Sequence, residues 1–345
     1  MSKRQTNSPC CQENGLWRGV RLAALGGALW IGWKVGPWLR YFYTLDVPAA
    51  LAAHENRGDP GLHVLAEAAT ETYTRRHTLE DGIERIVYTP AERRYETPIL
   101  LLHGMWHAAW CWQAWQEALA GLGWESVAVS LPGHAGSPPQ RPMEQVTLDY
   151  YLGFLKAEVE RFDRPPVLMG HSMGGALTQW YLKYVGQEHL AAAVLVAAWV
   201  SHSVIWDGGP LFARLDPAGM ALALLEETAT PFVRTPGHAA RLLLSPNALI
   251  TPEALFDRLG PESVLVMMQH NPPFWSPAED VSLPLLWLAA EKDGAITVAG
   301  ARRSAAHYGA DFVLVPDAGH NLMHEHNRDV TVQQIHEWLA GRGIA

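Results

Sequence analysis

The sequence predicts an α/β protein with a mostly parallel central sheet flanked by helices, and three observations predict it. Short runs such as Pro98-Ile99-Leu100-Leu101-Leu102 and Ala191 to Ala198 are apolar throughout, as strands buried on both faces are. These runs alternate with longer stretches of helical character, Thr147 to Phe162 among them. At the middle of the chain, Met169-Gly170-His171-Ser172-Met173-Gly174-Gly175 joins the apolar run Pro166 to Met169 to an amphipathic stretch beginning at Ala176. That segment reads as a strand, a sharp turn and a helix. Such a turn strains the backbone of Ser172, and Gly170 and Gly174 let the chain approach itself closely there. The Ser172 hydroxyl is then presented as a candidate nucleophile. The Met173 amide, at the helix N-terminus, can face an oxyanion.

The chain has 345 residues and is 48% hydrophobic, enough for a substantial core in one large domain or two small ones. A net charge of -9 argues against a nucleic-acid partner, which needs a basic face. No glycine loop of the Walker or dinucleotide type occurs, and no cofactor is expected. The cysteines are Cys10, Cys11 and Cys111, without zinc-like spacing.

Residues 1–45 differ from the rest. Lys3, Arg4, Arg18 and Arg21 precede the apolar run Leu22 to Trp33, and Lys34, Gly36-Pro37, Trp38 and Arg40 follow it. Twelve apolar residues make a helix of about 18 Å, against a bilayer core of about 30 Å, and only extension to Leu39 approaches a spanning length. Trp17, Trp30, Trp33, Trp38, Tyr41 and Tyr43 are of the types enriched at membrane interfaces. The expectation is a membrane anchor, spanning or embedded, through residues 17–45. A cleaved signal and a helix packed on the domain or a partner are the other readings. Residues 46–80 read as a polar connector with helical fragments, containing Pro48, Gly58-Asp59-Pro60 and the alternation Tyr73-Thr74-Arg75-Arg76, with Arg57-Gly58-Asp59 as a turn.

Residues 81–345 carry the main domain. Glu84 to Tyr88 reads as an early strand, and Pro98 to Leu102 as a buried one ending at His103-Gly104. Ala109 to Leu122 reads as a helix, and Gly123 to Ser130 as the next strand. Leu131-Pro132-Gly133-His134-Ala135-Gly136-Ser137 reads as a structural loop. From Trp199 to Ser282 the strand and helix alternation stops for longer than a crossover needs, so something is inserted. Its helical stretches are Leu211 to Glu227, His238 to Leu244 and Pro252 to Leu259. Leu283 to Ala290 is a strand ending in Glu291-Lys292-Asp293-Gly294, and Asp311 to Val315 a last one, before Pro316-Asp317-Ala318-Gly319-His320-Asn321.

The Gly170 to Gly174 turn resembles the nucleophile elbow of the α/β-hydrolase superfamily. His103 to Trp112, with its Trp110-Cys111-Trp112 cluster, is similar to a loop of that superfamily's methylesterase and hydroxynitrile-lyase branch. The resemblance implies the α/β-hydrolase fold, with a helical cap at about 199–282 inserted before the acid-bearing strand. It implies a triad of Ser172, Asp293 and His320, with Glu291 competing for the acid's place, and Met105 as a second oxyanion donor beside Met173. Trp106 and His171 are substrate-binding candidates, His171 also being suited to support the site. Trp110, Trp112 and Trp115 read as packing residues, and Cys111 as a buried, unreactive thiol. His320, His324 and His326 lack a metal-binding pattern, so no metal is expected.

This constellation predicts a serine hydrolase cleaving a small-molecule carboxylic ester through an acyl-enzyme, with the cap's Leu, Met and Phe favouring a hydrophobic substrate portion. A thioesterase, an amidase, a carbon-carbon hydrolase and a hydroxynitrile lyase share the triad and stay open, as does a membrane-tethered binding protein without catalysis. A serine at the elbow disfavours chemistry that attacks with a carboxylate.

Overall fold

The computed structural model describes residues 36–345. The apolar run Leu22 to Trp33, on which the expected membrane anchor rests, lies outside the described residues. Among the described residues no helix is long and apolar enough to cross a membrane. The chain divides into two units, Met1–Asp46 and Val47–Ala345. In the first, residues 36–44 are helical, and Thr44 Oγ1 donates to the Arg40 carbonyl at 3.0 Å.

The second unit begins with helix α1 (Val47–Ala52) and is built on a nine-stranded sheet. Its strands are β1 (Leu62–Ala69), β2 (Tyr73–Glu80), β3 (Ile83–Pro90), β4 (Ile99–Leu102), β5 (Ser126–Ser130), β6 (Val167–His171), β7 (Ala192–Val196), β8 (Leu285–Ala290) and β9 (Asp311–Val315). They lie in the order β1-β2-β3-β5-β4-β6-β7-β8-β9. The pairs from β1 to β3, and β3 with β5, are antiparallel, and every pair from β5 through β9 is parallel. The central strands β4, β6 and β7 are buried at every residue, which is why they read as unbroken apolar runs.

Helices α2 (Gln113–Gly121, after a 3-10 turn at Ala109–Trp112), α3 (Leu148–Val159), α4 (Met173–Tyr184), α10 (Val298–His307) and α11 (Arg328–Gly341) cover the sheet. The chain leaves β4 toward β5 on one side, then returns across β4 to β6 and continues the other way. Right-handed crossovers therefore place α2 on one face and α3 with α4 on the other. The strand order thus reverses between β4 and β6, and open α/β sheets bind ligands outside the carboxyl ends of the strands at such a switch point. Trp112, Trp115, Leu119 and Trp124 fill the core beneath α2, and Cys111 lies among them with burial pushing its thiol pKa up.

Residues 46–80 contain one helical fragment, α1, and otherwise depart from the expected connector. β1 and β2 extend the sheet there as an antiparallel hairpin, with a bulge between Val64 and Ala66. Burial alternates from Tyr73 to His77 and Tyr73 packs on Tyr88 at 4.9 Å, so the alternation from Tyr73 to Arg76 is a strand's period of two. All eight residues of β1 are exposed, so no buried face imposed an apolar pattern on it.

Between β7 and β8 the chain leaves the sheet and forms α5 (Val204–Leu215), α6 (Pro217–Glu226), α7 (Pro236–Leu243), α8 (Pro252–Phe256) and α9 (Val264–Gln269). Each is capped from its own sequence. Ser203, Asp216, Thr235, Thr251 and Ser263 accept first-turn amides, and Pro opens α6, α7 and α8. The single helix expected from Leu211 to Glu227 is broken at Asp216, because a residue before proline is driven out of the helical region (φ -153°, ψ 75°) and its carboxylate caps the next helix.

Candidate active site

Ser172 joins β6 to α4 with φ 52° and ψ -113°. This conformation costs a side-chain-bearing residue about 1–3 kcal/mol and persists only where the surroundings enforce it. Here the Ser172 amide donates to the Val196 carbonyl at 3.0 Å, and its carbonyl accepts from Ala176 at 3.1 Å and Trp199 at 3.2 Å. A Cβ on Gly170 would strike the Gly174 carbonyl, and one on Gly174 the Leu102 carbonyl. Both glycines are therefore required by close backbone approach.

Asp293 follows β8 and reaches His320, in the loop after β9. His320 Nδ1 donates to Asp293 Oδ2 at 2.8 Å, while Asp293 Oδ1 accepts the amides of Ala295 (2.7 Å) and Ile296 (2.9 Å). The two loops are fastened by Lys292 N–H to the Ala318 carbonyl at 2.8 Å. Glu291 is exposed and accepts the Asp317 amide at 2.9 Å, so the competing acid belongs to the surface. With Nδ1 committed, Nε2 is the imidazole nitrogen left for other chemistry. Ser172 is 5% exposed, His320 2% and the Asp293 side chain 3%, so the three stand in a water-poor setting where charge interactions are strong.

His171 is fully buried, and its Nε2–H donates to the His320 carbonyl at 3.1 Å. Burial holds its pKa well below the usual value, so the ring is neutral. Of its two expected parts, lining and supporting, this contact is a supporting one. The Trp106 Nε1–H donates to the cap carbonyl of Ala229 at 3.2 Å, and the residue is 4% exposed.

The Met105 and Met173 amides have no backbone acceptor among the described residues. The Met105 peptide is held by two histidines, His103 and His107. Leu131 N–H donates to His103 Nε2 at 3.0 Å, which leaves the proton on Nδ1 to donate to the Gly104 carbonyl at 2.8 Å. In a trans peptide that grip turns the Met105 N–H to the opposite side. Asn321 Nδ2 donates to His107 Nε2 at 3.0 Å, and His107 Nδ1–H donates to the Met105 carbonyl at 2.7 Å. Desolvation drives the His107 pKa down to about 3 and that of His103 well below the usual value, so both act as neutral struts. A concentration of histidines in the loops at the carboxyl ends of the strands was the available signal. Among the described residues no group of His, Cys, Asp and Glu could hold a metal ion.

The fold and this elbow define an α/β hydrolase, and the sequence agrees: residues 99–334 match the alpha/beta hydrolase family, to which this chain belongs. Among known proteins it is similar to Esterase PIR7B of Oryza sativa subsp. japonica, 34% identical over 102 residues. That match spans 29% of this chain and only 37% of the rice protein's length. Similar solved structures include a monoacylglycerol lipase of Paleococcus ferrophilus (TM-score 0.56, 19% identity, 75% of this chain and 98% of that one). Another is a thermophilic esterase of Thermogutta terrifontis (TM-score 0.58, 18% identity, 81% and 98%). At these identities the structural likeness speaks for the fold.

Proposed function

We propose that this chain is a serine hydrolase that cleaves a carboxylic ester with a hydrophobic portion through an acyl-enzyme on Ser172. The observation that carries the reading is the 2.8 Å bond from His320 Nδ1 to a buried, fully engaged Asp293; in support, Ser172 is held in a left-handed turn and its neighbour His171 donates to the His320 carbonyl at 3.1 Å. His320 Nε2 takes the proton from Ser172 Oγ as the oxygen attacks the ester carbonyl carbon, and Asp293 stays ionised and stabilises the imidazolium. The amides of Met105 and Met173 receive the oxyanion. Collapse expels the alcohol, which takes the proton from His320. Water then attacks the acyl carbon through the same imidazole and frees the acid. The apolar cap supports the hydrophobic preference, and the rice relative's name, an esterase, fits the reaction.

The test is Ser172→Ala against a panel of nitrophenyl esters, with fluorophosphonate labelling of the parent. Turnover and labelling should both vanish in a variant that stays folded. Parental rates in that variant defeat the proposal, and cyanide release from mandelonitrile without acyl-serine formation would redirect it to lyase chemistry.

We also propose that residues 17–45 hold the enzyme at a membrane, on the support of their apolar run flanked by aromatic and cationic residues. The full chain should stay with membranes through an alkaline carbonate wash; release into the wash refutes an embedded anchor.

A further inference from the structure

Trp106 follows Met105 directly and is itself in the left-handed region, with φ 64°. A bulky residue holds such a conformation only when its neighbours enforce it. Here the neighbours belong to the cap. The indole Nε1–H donates to the Ala229 carbonyl at 3.2 Å, and the Trp106 carbonyl accepts the Gly260 amide at 2.8 Å. Ala229 and Gly260 flank one small antiparallel bridge, Thr228 with Ser263, closed further by Ala229 N–H to the Glu262 carbonyl at 2.8 Å.

The same bridge reaches the other side of Met105. Glu262 Oε2 bonds His134 Nε2 at 3.1 Å, the His134 ring packs against His103 at 4.7 Å, and His103 grips the Gly104 carbonyl at 2.8 Å. Met105 thus lies between two residues that one piece of the cap secures, directly through Trp106 and by way of His134 through His103. We infer that Trp106 is a positioning residue that makes the Met105 amide a competent oxyanion donor only while the cap is docked, so that displacing the cap dismantles half of the oxyanion hole. The inference rests on the acyl-transfer reading of Ser172.

The test removes one hydrogen bond, and its second variant also keeps the shape of the ring. Trp106→Phe, and a chain carrying benzothienylalanine at position 106, which matches the indole in shape but has no N–H, are compared with the parent and with Ser172→Ala. Per titrated active site, kcat should fall about tenfold with KM within twofold, since a bond that serves only the transition state lowers kcat alone. Affinity for a trifluoromethyl ketone, whose adduct with serine carries an oxyanion, should fall by the same factor. A merely structural tryptophan would lower Tm and leave kcat per site and ketone affinity at parental values, and that result overturns the inference. So does a raised KM with unchanged kcat, which would make Trp106 a substrate contact. Should Ser172→Ala keep parental turnover, the acyl-transfer reading itself has failed, whatever the position 106 variants do.

Discussion

Glu262 Oε2 and His134 Nε2 meet at 3.1 Å with both side chains shut away from solvent, which ties the loop after β5 to the cap. The other carboxylate oxygen accepts the Ser263 amide at 2.8 Å and the Tyr151 hydroxyl at 3.4 Å. Glu262→Ala strands all three partners inside the protein and should cost about 3 kcal/mol, because an unpaired buried polar group loses its solvation without compensation. Glu262→Gln keeps an acceptor and should cost about 1 kcal/mol. Urea unfolding of the two variants decides it, and equal losses would show that the contact is not what holds the loop.

The neighbouring acids Asp293 and Glu291 should differ sharply in effect. Asp293 fixes the His320 tautomer through Nδ1, so Asp293→Asn should lower kcat on the order of a thousandfold. Glu291 accepts only a main-chain amide at the surface, and Glu291→Gln should stay within about twofold of the parent. Initial rates on a nitrophenyl ester compare them, and similar losses in both variants would remove Asp293 from its assigned place.

Stability should fall steeply on acidification. Burial depresses His107 and His270 to about 3 and His324 to about 4, all below the unfolded value of about 6.5. Below pH 6.5 the unfolded chain takes up protons that the folded chain refuses. The stabilisation present above that pH is therefore lost as pH falls toward the folded values, by about 1.4 kcal/mol per pH unit for each histidine. His270 accepts from Trp180 Nε1 at 3.1 Å and donates to the Val200 carbonyl at 2.9 Å. His270→Gln should reduce the slope of unfolding free energy between pH 6 and pH 4 by about that amount. An unchanged slope in denaturation curves would exclude His270 as a source of acid sensitivity.

What the sequence disclosed follows from how local each constraint is. β4, β6 and β7 are legible as apolar runs because both their faces are buried, and the elbow is legible because Gly170, Ser172 and Gly174 must be close in sequence to turn so tightly. β1 was missed because all its residues face solvent, which leaves no periodicity to read. The bracing of Met105 was missed for a different reason. His134 meets Glu262, and Trp106 meets Ala229, across more than a hundred residues of chain, and a lone histidine or tryptophan does not announce a partner that far away. Asp216 lies between these cases: its proline signal was present, and the apolar residues on either side obscured it.

Gly104 offers the sharpest separation between activity and stability. A Cβ there would stand 2.8 Å from Ser172 Cβ and 2.8 Å from His171 Nδ1. Neither can yield at its own end. Ser172 is clamped by three main-chain hydrogen bonds, and His171 is buried against the His320 carbonyl. The strain of Gly104→Ala must therefore be relieved by moving the loop that carries Met105 away from the elbow, a shift of several tenths of an ångström between the Met105 amide and Ser172. Misplacement on that scale costs orders of magnitude in rate, so kcat/KM should fall about a hundredfold. Overpacking of one methyl group should cost only about 1–3 kcal/mol in stability. Gly237, in α7, has nothing within 4 Å of its Cβ position, and Gly237→Ala should leave both quantities close to parental. Rates per titrated site and thermal melts on the two variants give the comparison. If Gly104→Ala kept parental kcat/KM while losing stability, the close approach of the two loops would matter for folding and not for turnover.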